Sequence, residues 1–180
     1  MPVNLPLVAN VPASALRLNT TTLFLVRHAD IIIGADPNPH LTTAGQERAT
    51  ELVHVLGSVA IAAVYVSDAF RTQETAAPLA GHLGVTPLVI GAASAIVSHV
   101  KAHFLGRTVF VAGHSNTVPE IITRFGGGQI QPIGPTEFDR LFVLSITELV
   151  KREAQVGPVT VKIPQRKVAA LHQLQYGASN

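Results

Sequence analysis

No cysteine occurs in the chain, which excludes disulfide staples, thiol nucleophiles and cysteine-ligated zinc. Nor does any apolar run approach the ~18 residues needed to cross a bilayer. The amino terminus lacks the charged-then-apolar layout of a secretory signal. On these absences the chain reads as soluble, with the cytoplasm as its compartment and no membrane partner. No repeat period is visible. The glycines 126–128 lack the preceding strand and the Lys-Ser/Thr of a phosphate-cradling loop, so they read as a flexible connection. His40, His54, His82, His99, His103 and His172 have no partner at ligand spacing except His99 with His103, four apart on an expected helix. Without a third ligand these two read as a surface pair, and no metal or cofactor is expected.

What remains is one domain's worth of chain. With 180 residues and 47% hydrophobic content it can bury a single core. Charge is uneven: residues 151–180 carry five Lys or Arg against one Glu, while the first 150 hold eight basic and ten acidic residues. The basic tail has no aromatic interleaving beyond Tyr176, so it reads as a solvated face and not as a nucleic-acid surface.

Five runs rich in β-branched or large apolar residues predict strands at 22–26, 61–66, 86–90, 108–112 and 141–146. Helical spacing predicts helices at 43–56, 70–83, 94–104 and 117–125, the first opened by Thr43 and Gln46 as a capping box. Strands alternating with helices imply an α/β three-layer sandwich, a mostly parallel central sheet flanked by helices. Residues 126–135, with four glycines and two prolines, form a loop. An edge strand is expected at 159–163, followed by a loosely held polar end. The expected organisation is an extension over 1–20, a catalytic domain over 21–150 and a basic tail over 151–180.

Ligands of open parallel α/β sheets gather beyond the carboxyl ends of the strands. Three exits are loaded there: Arg27-His28-Ala29-Asp30 after the first strand, Ser67-Asp68-Ala69-Phe70-Arg71-Thr72 after the second, and Gly113-His114-Ser115-Asn116 after the fourth. Each residue alone has an ordinary structural explanation. Together, two arginines and two histidines on one rim repel each other unless an anion sits between them. A phosphoryl group fits, since arginine's planar fork matches its oxygens and a neutral imidazole is a competent nucleophile.

The stretches Leu25-Val26-Arg27-His28-Ala29, Leu41-Thr42-Thr43-Ala44-Gly45-Gln46, Ser67 to Ala76, and Val111-Ala112-Gly113-His114-Ser115-Asn116 resemble, in order, the signature of the histidine phosphatase (phosphoglycerate-mutase-like) superfamily. The likeness runs over roughly residues 22–146 and is closest to the small phosphatases and phosphohistidine phosphatases. It implies that His28 accepts the phosphoryl group, that Arg27, Arg71 and His114 form the phosphate pocket, and that Ser115 and Asn116 line it. It also implies an antiparallel last strong strand. The partner would be a phosphorylated small molecule or a phosphohistidine protein; the substrate itself and the oligomeric state are not given by the sequence. Phosphoglycerate mutases usually carry glycine where Ala29 stands, together with a longer insertion after the third strand.

That insertion commonly supplies the glutamate that protonates the leaving oxygen, yet no carboxylate occurs between Glu74 and Glu120. The candidates elsewhere are Asp139, chosen narrowly over Glu137, then Asp30 and Glu120. The Thr117-Val118-Pro119-Glu120 spacing favours a capping role for Glu120. A substrate with a good leaving group needs no acid at all. The reading is thus a metal-independent phosphatase; a mutase using the same intermediate and a catalytically idle phosphate-binding module of the same fold are the alternatives. Leu41, Ile31 to Ile33 and the alanine-rich 91–96 stretch suggest an apolar rim.

Overall fold

A computed structural model describes residues 17–150, 153–156, 159–162 and 167–177. Of the expected extension over 1–20, residues 1–16 lie outside these, whereas 17–20 are the start of the first strand and no extension. Chain order is β1 (Arg17–Arg27), α1 (Thr43–Leu56), β2 (Ile61–Val66), α2 (Phe70–Leu83), β3 (Leu88–Val89), α3 (Ala93–His103), β4 (Thr108–Gly113), α4 (Thr117–Phe125), β5 (Arg140–Val150), β6 (Glu153–Val156), β7 (Val159–Lys162) and β8 (Lys167–Gln175). The main sheet runs β3-β2-β4-β1-β5-β8. Its first four strands are mutually parallel, and β5 lies antiparallel to β1, as the resemblance implied.

Alternation along the strands divides the core into two layers. Leu23, Leu25, Tyr65, Val109 and Val111 face α3 and α4, where Ile96, Val100, Ile121 and Phe125 meet them. Val26, Val64, Val66, Phe110 and Ala112 face α1 and α2 and pack on Leu52, Leu56, Ala76 and Leu79. Both faces of the central strands are therefore buried, which is why they read as continuous apolar runs. Helices α2 and α4 end at Gly84 and Gly126, whose positive φ of 65° and 91° admits the left-handed turn.

Several expectations are corrected. The N-cap of α1 is Thr42, whose hydroxyl accepts from the Gly45 amide at 3.1 Å, one residue before the expected capping box. The strand expected over 159–163 is β7, paired with β6 in a separate two-stranded sheet and not at the edge of the main one. That edge is β8, in the stretch expected to be a loosely held polar end; it pairs with β5 from Arg140↔Gln175 to Glu148↔Lys167. An edge strand buries one side at most, and only Ala169 and Leu171 of β8 pack on the core, so its apolar signal is weak. His99 is half-buried and bonded to the Tyr65 hydroxyl at 2.9 Å, not merely one of a surface pair. Among the described residues, no helix is long and apolar enough to cross a membrane.

Candidate active site

The strand order assembles the site. β4 lies between β1 and β2, Arg27 is in register with Gly113, and the His28 amide donates to the Gly113 carbonyl at 2.9 Å. The exits of all three strands thus open side by side. Arg27, His28, Arg71, His114, Ser115 and Asn116 line one cavity of about 560 Å³. His28 and His114 stand 5.6 Å apart, centroid to centroid.

His28 is 4% exposed, and its Nδ1 lies 2.9 Å from the Ala29 carbonyl oxygen. Its pKa is lowered to about 4, first by burial and then by Arg27, His114 and Arg71, against a raising effect of the Ala29 bond. The ring is therefore neutral near pH 7. Its loop is fixed from α2: Thr75 accepts from the Ala29 amide at 2.8 Å and donates to the Arg71 carbonyl at 2.6 Å. One buried hydroxyl thereby ties the strand-end histidine to the helix turn that bears Arg71.

Burial, then Arg71 and Arg27, lower His114 as well, with Asp68 opposing. Its Nε2 pairs with the Ser67 hydroxyl at 3.0 Å, and Ser67 pairs with Thr72 at 2.9 Å. The Arg27 guanidinium stacks 4.4 Å above Phe138 and donates through one nitrogen to the carbonyls of Gly134 at 2.6 Å and Glu137 at 3.3 Å. Its Nε is buried without a partner. Burial and Arg71 both lower the Arg27 pKa. The rim is thus a cluster of mutually repelling cationic and polarised groups, which an anion would relieve.

The four carboxylates considered for the acid are held elsewhere. Asp139 is not among the cavity's lining residues; its carboxylate accepts from Gln175 at 3.2 Å and its carbonyl from the Tyr176 amide. Glu137 sits on the loop entering β5, but its carboxylate accepts from the Gly134 amide at 2.7 Å, which lowers its pKa, and from Arg140 at 3.4 Å. Asp30 is buried against Arg48 at 2.6 Å and is a structural partner. Glu120 pairs with Arg124 at 2.7 Å and makes no capping box. Asp36, which no sequence motif marks, is the carboxylate lining the cavity among the described residues. Sequence also gave Ser67 and Thr75 no role, although both lie inside the motif it singled out. Of the expected apolar rim, Ile31, Ile32 and Ile33 line the cavity. Leu41 is buried in a small cluster with Ala29 and Ala49, and residues 91–96 lie elsewhere.

Residues 23–93 match the sequence model of the histidine phosphatase superfamily (branch 1). That stretch, less than half of the chain, is similar to this superfamily. A PE-PGRS family protein, PE_PGRS11 of Mycobacterium tuberculosis, is 41% identical to this chain over 63 residues, which are 34% of this chain and 11% of that protein. The match therefore spans about a tenth of that relative's length. Two solved structures share the fold. A mycobacterial glucosyl-3-phosphoglycerate phosphatase superposes with a TM-score of 0.59 at 15% identity, over 72% of this chain and 91% of that one. The protein histidine phosphatase SixA, complexed with tungstate, gives 0.55 at 18% identity, over 80% and 95%.

Proposed function

We propose that this protein is a member of the histidine phosphatase superfamily and a phosphatase that moves the phosphoryl group of a phosphomonoester first to His28 and then to water. One observation carries the reading. His28 is neutral, its Nδ1 is engaged with a carbonyl, and it shares a cavity with Arg27, Arg71 and His114. In the first step Nε2 forms a bond to phosphorus while the ester P–O bond breaks. The departing oxygen keeps the bonding pair and takes a proton from water in the open cavity. In the second step a water oxygen displaces Nε2, releasing inorganic phosphate, and the proton that water loses balances the one the alcohol gained. The arginines compensate the equatorial oxygens throughout, and the amino end of α4 beside Ser115 and Asn116 adds backbone donors. Holding phosphorus in line with a fixed imidazole replaces a bimolecular encounter with a near-unimolecular attack.

The test is turnover of p-nitrophenyl phosphate by the full chain and by His28→Ala. Release of nitrophenol and phosphate by the parent, abolished in the variant, is the expected result. Tight phosphate binding with no turnover of this ester or of a phosphohistidine peptide would leave an idle binding module instead.

A further inference from the structure

Ile32 and Ile33 are 70% and 73% exposed, among the most exposed large apolar side chains of the described residues. Both line the cavity that holds His28, alongside Ile31, Pro37 and Pro39. Surface isoleucines scattered singly need no explanation, but a run of them over a charged pocket does.

The segment carrying them is pinned at several points. Ile31 bridges to Leu41 and packs on the Ala29, Leu41 and Ala49 cluster. The Asp36 carboxylate accepts from the Asn38 amide at 2.8 Å, and the Asn38 side chain accepts from the Phe70 amide at 3.0 Å, at the start of α2. His40 stacks on Phe70 at 4.6 Å and pairs with Glu74, whose other oxygen accepts from the Leu41 amide at 2.8 Å. The wall is thereby tied to the helix that presents Arg71, and it faces the phosphate pocket as a preformed surface.

We propose that this wall selects the leaving group: the preferred substrates are monoesters of apolar alcohols or phenols, and esters with a second anionic group are disfavoured. The inference rests on the phosphatase reading above. Isoleucine and proline side chains offer no hydrogen-bond donor or acceptor, so a polyol held against them would lose contacts to water without replacement. An apolar group there leaves water and covers Ile32 and Ile33 at once. Asp36, on the same wall, repels a carboxylate or second phosphate on the leaving group.

The experiment compares phenyl, 4-ethylphenyl and 4-butylphenyl phosphates, whose leaving groups differ little in acidity, with 4-(carboxymethyl)phenyl phosphate as the anionic counterpart. A one-sided wall removes about half of each added carbon from water, so kcat/KM should climb roughly two-fold per carbon, reaching about fifteen-fold at butyl. The anionic ester should fall below phenyl phosphate. In Ile32→Ser/Ile33→Ser, substitutions at exposed positions, the butyl-to-phenyl ratio should collapse toward one; in Asp36→Asn the anionic ester should recover. A flat series alongside good p-nitrophenyl phosphate turnover overturns the wall and leaves the phosphatase reading intact. So does a climb that the isoleucine variant does not reduce. If no ester is turned over, the phosphatase reading fails, and calorimetry with 4-butylphenyl- and methylphosphonate still decides the wall: equal affinities overturn it.

Discussion

Nδ1 of His28 lies 2.9 Å from the carbonyl oxygen of Ala29, and a carbonyl only accepts, so the proton of the neutral ring resides on Nδ1. Nε2 is left with its lone pair. The tautomer of the proposed nucleophile is thus fixed by its own backbone, without a third side chain.

The proposed phosphoenzyme should therefore carry its phosphorus on Nε2. Rapid quench with labelled ester, split between acid and alkaline work-up, should give label that survives base and is lost in acid. The label should map to the peptide containing Leu25-Val26-Arg27-His28, and phosphorus NMR should assign the ring nitrogen. Acid-stable label, label on another residue, or phosphorus on Nδ1 would refute this chemistry.

The low pKa of His28, about 4, sets two pH dependences. From the reference histidine value of ~6.5, and with the second histidine protonated, the sequence alone places the rate maximum between roughly pH 5 and 7. Burial moves this limit: the acid limb of kcat/KM, corrected for ionisation of the ester, should lie near pH 4. Stability follows with a defined sign. The folded value lies below the unfolded one, so between about pH 6.5 and 4 the unfolded chain binds the extra proton and folding weakens as pH falls. The loss attributable to His28 is on the order of 3 kcal/mol. Urea titrations of the parent and His28→Gln should therefore converge or cross on acidification; parallel curves would mean that His28 titrates normally in the fold.

In the proposed phosphate pocket Arg71 contributes shape as well as charge. If one charge-assisted contact contributes ~2–4 kcal/mol at the transition state, Arg71→Ala should lower kcat/KM by about 30- to 1,000-fold. Arg71→Lys should fall between parent and alanine, because an ammonium neutralises an oxygen without fixing the group's orientation. A lysine variant with parental kinetics would reduce Arg71 to an ordinary residue of the helix's first turn.

The Asp30–Arg48 pair supports the loop after β1 that carries His28. Its side chains are 11% and 4% exposed, and Arg48 also donates to the Tyr176 carbonyl at 3.1 Å, binding the end of β8 to the loop after β1. Arg48→Met removes one partner of a buried pair and should cost about 3–5 kcal/mol in urea unfolding. Asp30→Leu/Arg48→Met should regain part of that loss, since it strands no charge. A single variant within 1 kcal/mol of the parent, by contrast, would show that the pair has little structural weight.

Much of the layout is local and so was legible in the sequence. Helices α1, α2 and α4 begin and end where their periodicity places them, and the central strands announce themselves because both their faces are buried. The loaded strand exits were legible too, since strand ends carry position along the chain. Asp139 and Asp36 mark the limit. Asp139 was chosen because its loop enters β5 at the rim, which holds for the backbone, but β8 supplies Gln175 to engage its carboxylate. That strand has too little apolar signal to be foreseen. Asp36 lies in a loop without periodicity and reaches the cavity through contacts between that loop and α2. The order of residues thus determined which chemical groups stand at which strand ends. Only the tertiary structure decided that β4 inserts between β1 and β2, bringing Ser67, His114 and His28 to adjacent exits, because pairing between strands distant in sequence depends on long-range packing that no local pattern encodes.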